Sequence, residues 1–139
     1  MKLRVIWVGK LKNSQMAKLC DDYIERIKHF LPLEIADTKE TKLLAALDPS
    51  DRVVALDPKG KSWTSEQFAK FLQQHMTSDS RRLTFVIGDY SGLPPDVKKR
   101  ADVQWSFSLL TFTHDLTRVL LLEQIYRALS IIHNFPYSK

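Results

Sequence analysis

The most informative part of the chain is its last third, residues 85–139, which reads FVIGDYSGLPPDVKKRADVQWSFSLLTFTHDLTRVLLLEQIYRALSIIHNFPYSK. It opens with a short apolar run, residues 85–87, that ends in a glycine- and proline-containing loop, residues 88–95. A second loop, residues 105–113, is rich in Trp, Ser, Phe and Thr and leads into a long helix with almost no polar face. Two such loops beside a helix too apolar to remain in water indicate a ligand pocket next to a subunit interface.

The residue pattern predicts strands that alternate with helices along the whole chain. β-branched and apolar runs predict strands at 3–9, 33–36, 52–56, 83–87 and, more weakly, 102–106. Helical spacing predicts helices at about 14–30, 41–47, 64–76, 95–101 and 114–133, with Ser14, Thr64 and Thr113 as N-caps. The prediction is an α/β fold, a mostly parallel sheet flanked by helices. Ligands bind beyond the carboxyl ends of such strands, here 56–57, 87–88 and 106–107, with a turn at 57–60.

Composition places the chain among compact proteins of the reducing interior of the cell. Its 139 residues, 44% of them hydrophobic, predict a single domain spanning 1–139. The lone Cys20 excludes an intramolecular disulfide, and no run has the length of a signal h-region or a membrane span, so we expect a cytoplasmic protein without a membrane partner. A net charge of +5 favours a polyanionic partner such as nucleic acid.

Most standard catalytic signatures are missing. Gly60-Lys61-Ser62 resembles the end of a phosphate-binding loop, but the glycine needed five positions earlier is Ala55. The four histidines lack metal-ligand spacing, so no metal is expected. Cys20 lies on the apolar face of a predicted helix and is more typical of a core thiol than of a nucleophile.

Two features remain open on residue evidence alone. Gly88 either lets a ligand approach the backbone or simply ends its strand. The apolar last helix indicates a homodimer contact, with a central core helix of a monomer as the alternative.

Glu123 and Arg127 are spaced for a surface ion pair, whereas Arg118 has no partner at i−4 or i+4. Basic side chains cluster at 10/12, 59/61, 81–82 and 98–100, and three of these clusters flank the loops as a phosphate-contacting rim would.

The chain as a whole resembles one family, the small SPOUT-class methyltransferases that modify N3 of pseudouridine in bacterial 23S ribosomal RNA. The resemblance runs nearly end to end and is most specific in the carboxy-terminal part. The residues that carry it are 2–12, 53–57 with Gly60-Lys61, 85–88, 105–108, 110–112 with His114, 118–120, 123–128 and Pro136-Tyr137.

This resemblance implies a deep trefoil knot near the carboxy end, a homodimer, and S-adenosyl-L-methionine bound in the knot. Large-subunit rRNA or the ribosome is the implied partner. By position, the cofactor contacts carry over to Leu56, Gly88, Phe107, Ser108, Leu109, Leu110, Thr111 and Phe112.

Three positions depart from the family pattern. Asp89 stands where a second glycine is usual, the segment between Ile35 and Asp51 is short, and Phe135 and Ser138 replace two tail histidines. The candidate catalytic groups are His114 as general base, Arg118 to stabilise the developing anion or to hold a phosphate, and Tyr137 to stack on or hydrogen-bond to the target nucleobase. The alternatives are a SPOUT methyltransferase acting on another rRNA or tRNA site, and a non-catalytic RNA-binding assembly factor.

Overall fold

The computed structural model describes residues 1–137 and contains one five-stranded sheet. Its strands are β1 (Leu3–Val8), β2 (Leu33–Thr38), β3 (Arg52–Ser62), β4 (Leu83–Ile87) and β5 (Val103–Ser106). They pair in the order β2-β1-β4-β3-β5, and every pairing is parallel. β4 is buried along its whole length, as its continuous apolar sequence predicts for a parallel strand covered on both faces. The predicted parallel α/β fold is confirmed, whereas the trefoil knot stays a prediction.

Helices cover both faces of this sheet. They are α1 (Ser14–Lys28), α2 (Leu43–Ala46, preceded by a 3₁₀ turn at Glu40–Lys42), α3 (Ser65–Ser78), α4 (Pro95–Arg100) and α5 (His114–Ile132). α1, α3 and α5 share the larger hydrophobic core with one face, and α2 and α4 cover the other. No helix within residues 1–137 combines the length and apolarity that crossing a bilayer requires.

The last helix occupies the centre of its layer. α1 lies against one side of α5 and α3 against the other, and the sheet lies behind it. Leu121, Leu122, Ile125 and Leu129 are therefore fully buried within one chain. The apolar circumference of α5 does not by itself require a second subunit, because the chain supplies three neighbours for it.

Two local predictions are corrected by the structure. The N-cap of α1 is Asn13 rather than Ser14, because the Asn13 carboxamide oxygen accepts hydrogen bonds from the amides of Gln15 and Met16, both at 3.0 Å. The turn predicted at 57–60 is an irregular continuation of β3, which pairs again with β5 at Lys61 and Ser62.

Gly60 explains why this continuation can lie so close to β5. A Cβ at that position would lie 2.5 Å from the carbonyl carbon and oxygen of Gln104, so only glycine allows the approach. The predicted caps Thr64 and Thr113 are confirmed, each accepting a hydrogen bond from a first-turn amide.

Candidate active site

A pocket lies at the carboxyl ends of β4 and β5 and beside residues 56–58, where β3 becomes irregular; the strand pattern predicts ligand binding at these three places. Its walls come from this irregular part of β3, the loop after β4, the loop after β5 and the first turn of α5. All eight positions predicted for cofactor contact line it: Leu56, Gly88, Phe107, Ser108, Leu109, Leu110, Thr111 and Phe112. Their contact with a cofactor stays a prediction, but the fold brings them together.

Gly88 is required by the loop that it opens. A Cβ there would lie 2.8 Å from the carbonyl carbon and oxygen of Gly92 and 2.9 Å from a methyl group of Leu93. The loop closes on itself, since the Gly92 amide donates to the Asp89 carbonyl at 2.7 Å. A bulky residue at position 88 would therefore displace this loop, because the space beside Gly88 is filled by backbone.

The loop after β5 combines a hydrogen-bonded base with an exposed apolar tip. The Ser106 hydroxyl donates to the Ser108 carbonyl at 3.2 Å, and the Leu110 amide donates to the Ser108 hydroxyl at 3.0 Å. Leu109 and Leu110 are 98% and 73% exposed. Apolar side chains held this far into water are typical of a surface that a ligand or another chain covers.

Two carboxylates also face the pocket. Asp57 is buried, accepts a hydrogen bond from the Lys59 amide at 3.0 Å and pairs with the Lys98 ammonium at 3.5 Å. Asp89 lies 3.6 Å from Nε2 of His114. The strand pattern places Asp57 at one of the predicted ligand-binding strand ends, but the sequence assigns its carboxylate no role in the site.

His114 lies where the pocket meets a neighbouring groove, which runs between the loop after β1 and the first turns of α1 and α5. It lines both cavities, at the first turn of α5, and the exposed ring of Tyr90 lies nearly parallel to its imidazole at a centroid distance of 6.1 Å. Of the three predicted catalytic residues, His114 is the one that lines the pocket itself.

Arg118 lies beneath the groove rather than in the pocket. Its side chain is buried, Nη2 donates to the carbonyls of Val8 at 2.7 Å and Gly9 at 3.2 Å, and the guanidinium lies 4.9 Å from the Trp7 ring. Asp115 supplies a carboxylate 3.7 Å away at i−3. Burial lowers the pKa of the Arg118 guanidinium and Asp115 opposes that shift, but an arginine stays charged at neutral pH.

Tyr137 is held away from the pocket of its own chain. Its hydroxyl donates to Oε2 of Glu123 at 2.8 Å and lies 3.0 Å from the Tyr23 hydroxyl. The same Glu123 oxygen accepts from Arg127 at 2.7 Å, so the predicted Glu123–Arg127 pair is confirmed. Burial raises the pKa of Tyr137 and both hydroxyl partners raise it further, so the phenol stays protonated. Ser138, which with Phe135 departs from the family pattern in the tail, lies outside the described residues.

Nothing in the described part of the chain points to metal or thiol chemistry. Residues 1–137 contain no cluster of three or more His, Cys, Asp or Glu side chains suited to a metal ion. Burial raises the pKa of the Cys20 thiol to about 11, so it stays a protonated core residue, as the helix pattern predicts.

Comparison with known sequences assigns the family. The model described as "Predicted SPOUT methyltransferase" matches residues 1–138. A protein of Coprothermobacter proteolyticus is 40% identical over 139 residues, covering all of both chains, and is named ribosomal RNA large subunit methyltransferase H. Two further proteins carry the same name. The one from Trichlorobacter lovleyi is 38% identical over 99% of both chains, and the one from Streptococcus thermophilus is 40% identical over the full length of both.

Solved structures with little sequence similarity share the fold. A probable methylase from Haemophilus influenzae superposes with a TM-score of 0.64 at 9% identity, covering 99% of this chain and 70% of that one. A probable methyltransferase from Bordetella pertussis superposes with a TM-score of 0.61 at 13% identity, covering 91% and 93%. The resemblance found in the sequence is thus confirmed: the chain belongs to the SPOUT methyltransferase family.

Proposed function

We propose that this protein is a cytoplasmic homodimeric enzyme that transfers a methyl group from S-adenosyl-L-methionine to N3 of a pseudouridine in large-subunit ribosomal RNA. The observation that carries the proposal is the pocket beside β3, β4 and β5, which gathers every position expected to contact the cofactor. The full-length relatives named as large-subunit rRNA methyltransferases support the choice of substrate.

The lining of the pocket suits the proposed cofactor chemically. Phe107, Leu109, Leu110 and Phe112 offer apolar faces for an adenine ring, and the polar ends of three strands offer backbone donors and acceptors. S-adenosyl-L-methionine would supply an electrophilic methyl group on a cationic sulfonium. The carboxylates of Asp57 and Asp89 are placed to balance that positive charge.

The size of the pocket indicates that binding moves a loop. Its volume of about 190 Å³ is below the roughly 300 Å³ at which ligand sites of this kind begin. The exposed tip of the loop at Leu109 and Leu110 has few contacts to lose, so we expect it to move outward and then fold over the bound molecule.

His114 is the proposed general base. Transfer to N3 would break the N3–H bond and the bond between the methyl group and the sulfonium sulfur. The electron pair of N3 would form the new bond to the methyl carbon, the pair of the broken bond would stay on sulfur as a neutral thioether, and the proton would pass to the imidazole. With a proton on Nε2 facing Asp89, Nδ1 is left to accept this proton. The resulting imidazolium would be stabilised by the Asp89 carboxylate at 3.6 Å.

Arg118 and Tyr137 would contribute indirectly or across a dimer. The guanidinium of Arg118 is fixed behind the groove and would stabilise negative charge on the substrate through space. Tyr137 faces α1 and α5 instead of the pocket, so it can serve the reaction only in the pocket of a partner subunit.

The decisive experiment is nucleoside mass mapping of rRNA from a strain that lacks the gene, with and without a plasmid copy. We expect one N3-methylpseudouridine to disappear from the large-subunit rRNA and return on complementation. If the strain instead lacks a methyl group in tRNA or at another rRNA position, that RNA is the substrate and the proposed pseudouridine is not. Unchanged rRNA and tRNA, together with no calorimetric binding of S-adenosyl-L-methionine, would favour the non-catalytic assembly factor.

A further inference from the structure

A second, wider groove opens directly beside the proposed cofactor pocket. It has a volume of about 1000 Å³ and runs between the loop after β1 and the first turns of α1 and α5. Asp89, Tyr90, Thr111, Phe112 and His114 line both cavities, so one end of the groove lies where the pocket opens. A molecule in the groove would therefore meet the proposed site of methyl transfer.

The groove has a positive excess, because Lys10, Lys12 and Arg118 line it against the two carboxylates of Asp89 and Asp115, and Asp89 already lies 3.6 Å from His114. Lys10 and Lys12 are exposed on the loop after β1, and no carboxylate of residues 1–137 lies within ion-pair distance of either ammonium. The Asp115 carboxylate is already engaged, since it lies 3.7 Å from Arg118 and accepts from the Asn13 amide at 3.2 Å. The two lysines are thus available to a negatively charged ligand.

A buried cation underlies the same surface. Arg118 is 1% exposed and lines the groove, and its Nε and Nη1 atoms have no hydrogen-bond partner within residues 1–137. Its Nη2 holds the carbonyls of Val8 and Gly9, which begin the loop that carries the lysines. α1 and α5, of 15 and 19 residues, both start here and direct the positive ends of their dipoles at the groove.

Tyr90 adds an aromatic face at the junction. Its side chain is 85% exposed, and its ring lies within 9° of parallel to that of His114. An exposed ring backed by another ring offers its outer face to a nucleobase, which stacks without regard to base identity.

We propose that this groove is the subsite for the ribose-phosphate backbone of the RNA strand next to the target nucleotide. Lys10 and Lys12 contact phosphate oxygens, Arg118 positions their loop and adds a fixed charge beneath it, and Tyr90 stacks on a neighbouring base. The assignment rests on the proposed function, because it takes the ligand of the groove to be the strand that carries the methylated base.

The test compares two double variants that remove the same charge. Lys10→Gln/Lys12→Gln empties the groove rim, and Lys28→Gln/Lys70→Gln removes two exposed lysines of α1 and α3 away from it. Binding of a fluorescein-labelled ten-nucleotide oligouridylate and of purified bacterial large ribosomal subunits is measured across a salt series. Affinity for S-adenosyl-L-methionine is measured by calorimetry.

We expect the groove variant to bind both RNA probes on the order of tenfold more weakly, with a salt slope for the oligouridylate smaller by about 1.4. The control variant should match the wild type in slope, and both variants should keep the wild-type affinity for S-adenosyl-L-methionine. Equal RNA affinities and slopes for the two variants would overturn the proposal, as would absence of oligouridylate binding by the wild type at low salt.

Tyr90 provides an independent arm. Tyr90→Ala should weaken oligouridylate binding on the order of tenfold, and Tyr90→Phe should restore it, because the ring and not the hydroxyl carries the stacking. Equal affinity of the alanine variant and the wild type would remove Tyr90 from the subsite. RNA binding that depends on these residues in a protein that methylates no ribosome would uphold the groove and refute the proposed function.

Discussion

At the scale of single residues, the site and the tail depend on residues that fix the backbone around them. Position 88 accommodates glycine because the carbonyl of Gly92 occupies the space that a Cβ would need. Arg118 is bonded to two carbonyls of the loop after β1. Tyr137 fastens the tail to Glu123 and Tyr23. Each of these groups shapes a loop or terminus, so its replacement acts through the geometry of its neighbours.

Gly88→Ala should weaken cofactor binding by displacing the loop that forms one wall of the pocket. An added Cβ must push the Gly92 carbonyl away from its present distance of 2.8 Å, a strain of about 1–3 kcal/mol. Thermal unfolding should show a lower Tm, and calorimetry should show a weaker affinity for S-adenosyl-L-methionine. A variant with both values unchanged would contradict the close packing seen at Gly88.

Tyr137→Phe should separate the structural role of the hydroxyl from a chemical one. Loss of its hydrogen bonds to Glu123 and Tyr23 should cost about 1 kcal/mol of stability, while the ring keeps its packing against Tyr126. Urea unfolding measures the first effect, and the methylation rate on ribosomes measures the second. A large loss of methylation rate in a variant that is still folded would assign the hydroxyl to the reaction. An unchanged rate would show that only the aromatic ring of Tyr137 can contribute to it.

At the scale of elements, the end of α3 carries a histidine whose protonation opposes folding. His75 is fully buried; Nε2 donates to the Arg81 carbonyl at 2.8 Å, and Nδ1 accepts from Arg52 at 3.3 Å. Burial lowers the pKa of His75, and the nearby cations of Arg52 and Arg81 lower it further, against the Arg81 carbonyl and the Asp79 carboxylate. The neutral ring is thus the form that suits the fold.

Acidification should therefore destabilise the protein through His75. Because the folded-state pKa lies below the unfolded value of about 6.5, the unfolded chain binds the proton first. The free energy of unfolding should be full above pH 6.5 and fall by at most about 1.4 kcal/mol per pH unit below it. Asp79, whose pKa is lowered chiefly by Arg81, should contribute its own loss only near pH 3.8 and below.

Urea unfolding between pH 7.5 and 5 checks this dependence, with His75→Gln as the comparison. The variant should be less stable at pH 7.5 but should lose less on acidification. Parallel curves for the two proteins would show that the pH dependence arises elsewhere.

At the scale of the whole molecule, the exposed apolar surface argues for a partner. A shallow depression on the α3–α5 side is lined by Trp63, Phe107, Phe112 and Leu120, next to the exposed Leu109 and Leu110. Since α5 is already covered by its own chain on most of its circumference, this surface is the better support for the proposed homodimer.

Leu120→Glu should therefore split the dimer, because it places a charge in the apolar depression. Leu120 does not line the cofactor pocket, so the substitution leaves the lining of that pocket unchanged. Light scattering should give twice the chain mass of 16.1 kDa for the wild type and the single-chain mass for the variant. Leu44→Glu, at an exposed position of α2 on the other side of the sheet, is the matched control and should stay dimeric. A monomeric wild type at micromolar concentration would refute the dimer.

The elements and the parallel layer architecture follow from local periodicity, from caps such as Thr64 and Thr113, and from the rule that parallel strands present their ligands at one edge. The family and the eight positions that line the pocket came from the resemblance of the whole chain to the SPOUT methyltransferases. Three features are visible only in the folded chain: β3 runs on past Asp57, α5 lies between two helices, and Arg118 is buried under a groove from which Tyr137 faces away. Contacts between residues as distant as Val8 and Arg118 depend on how the chain packs, and no spacing along the sequence encodes them.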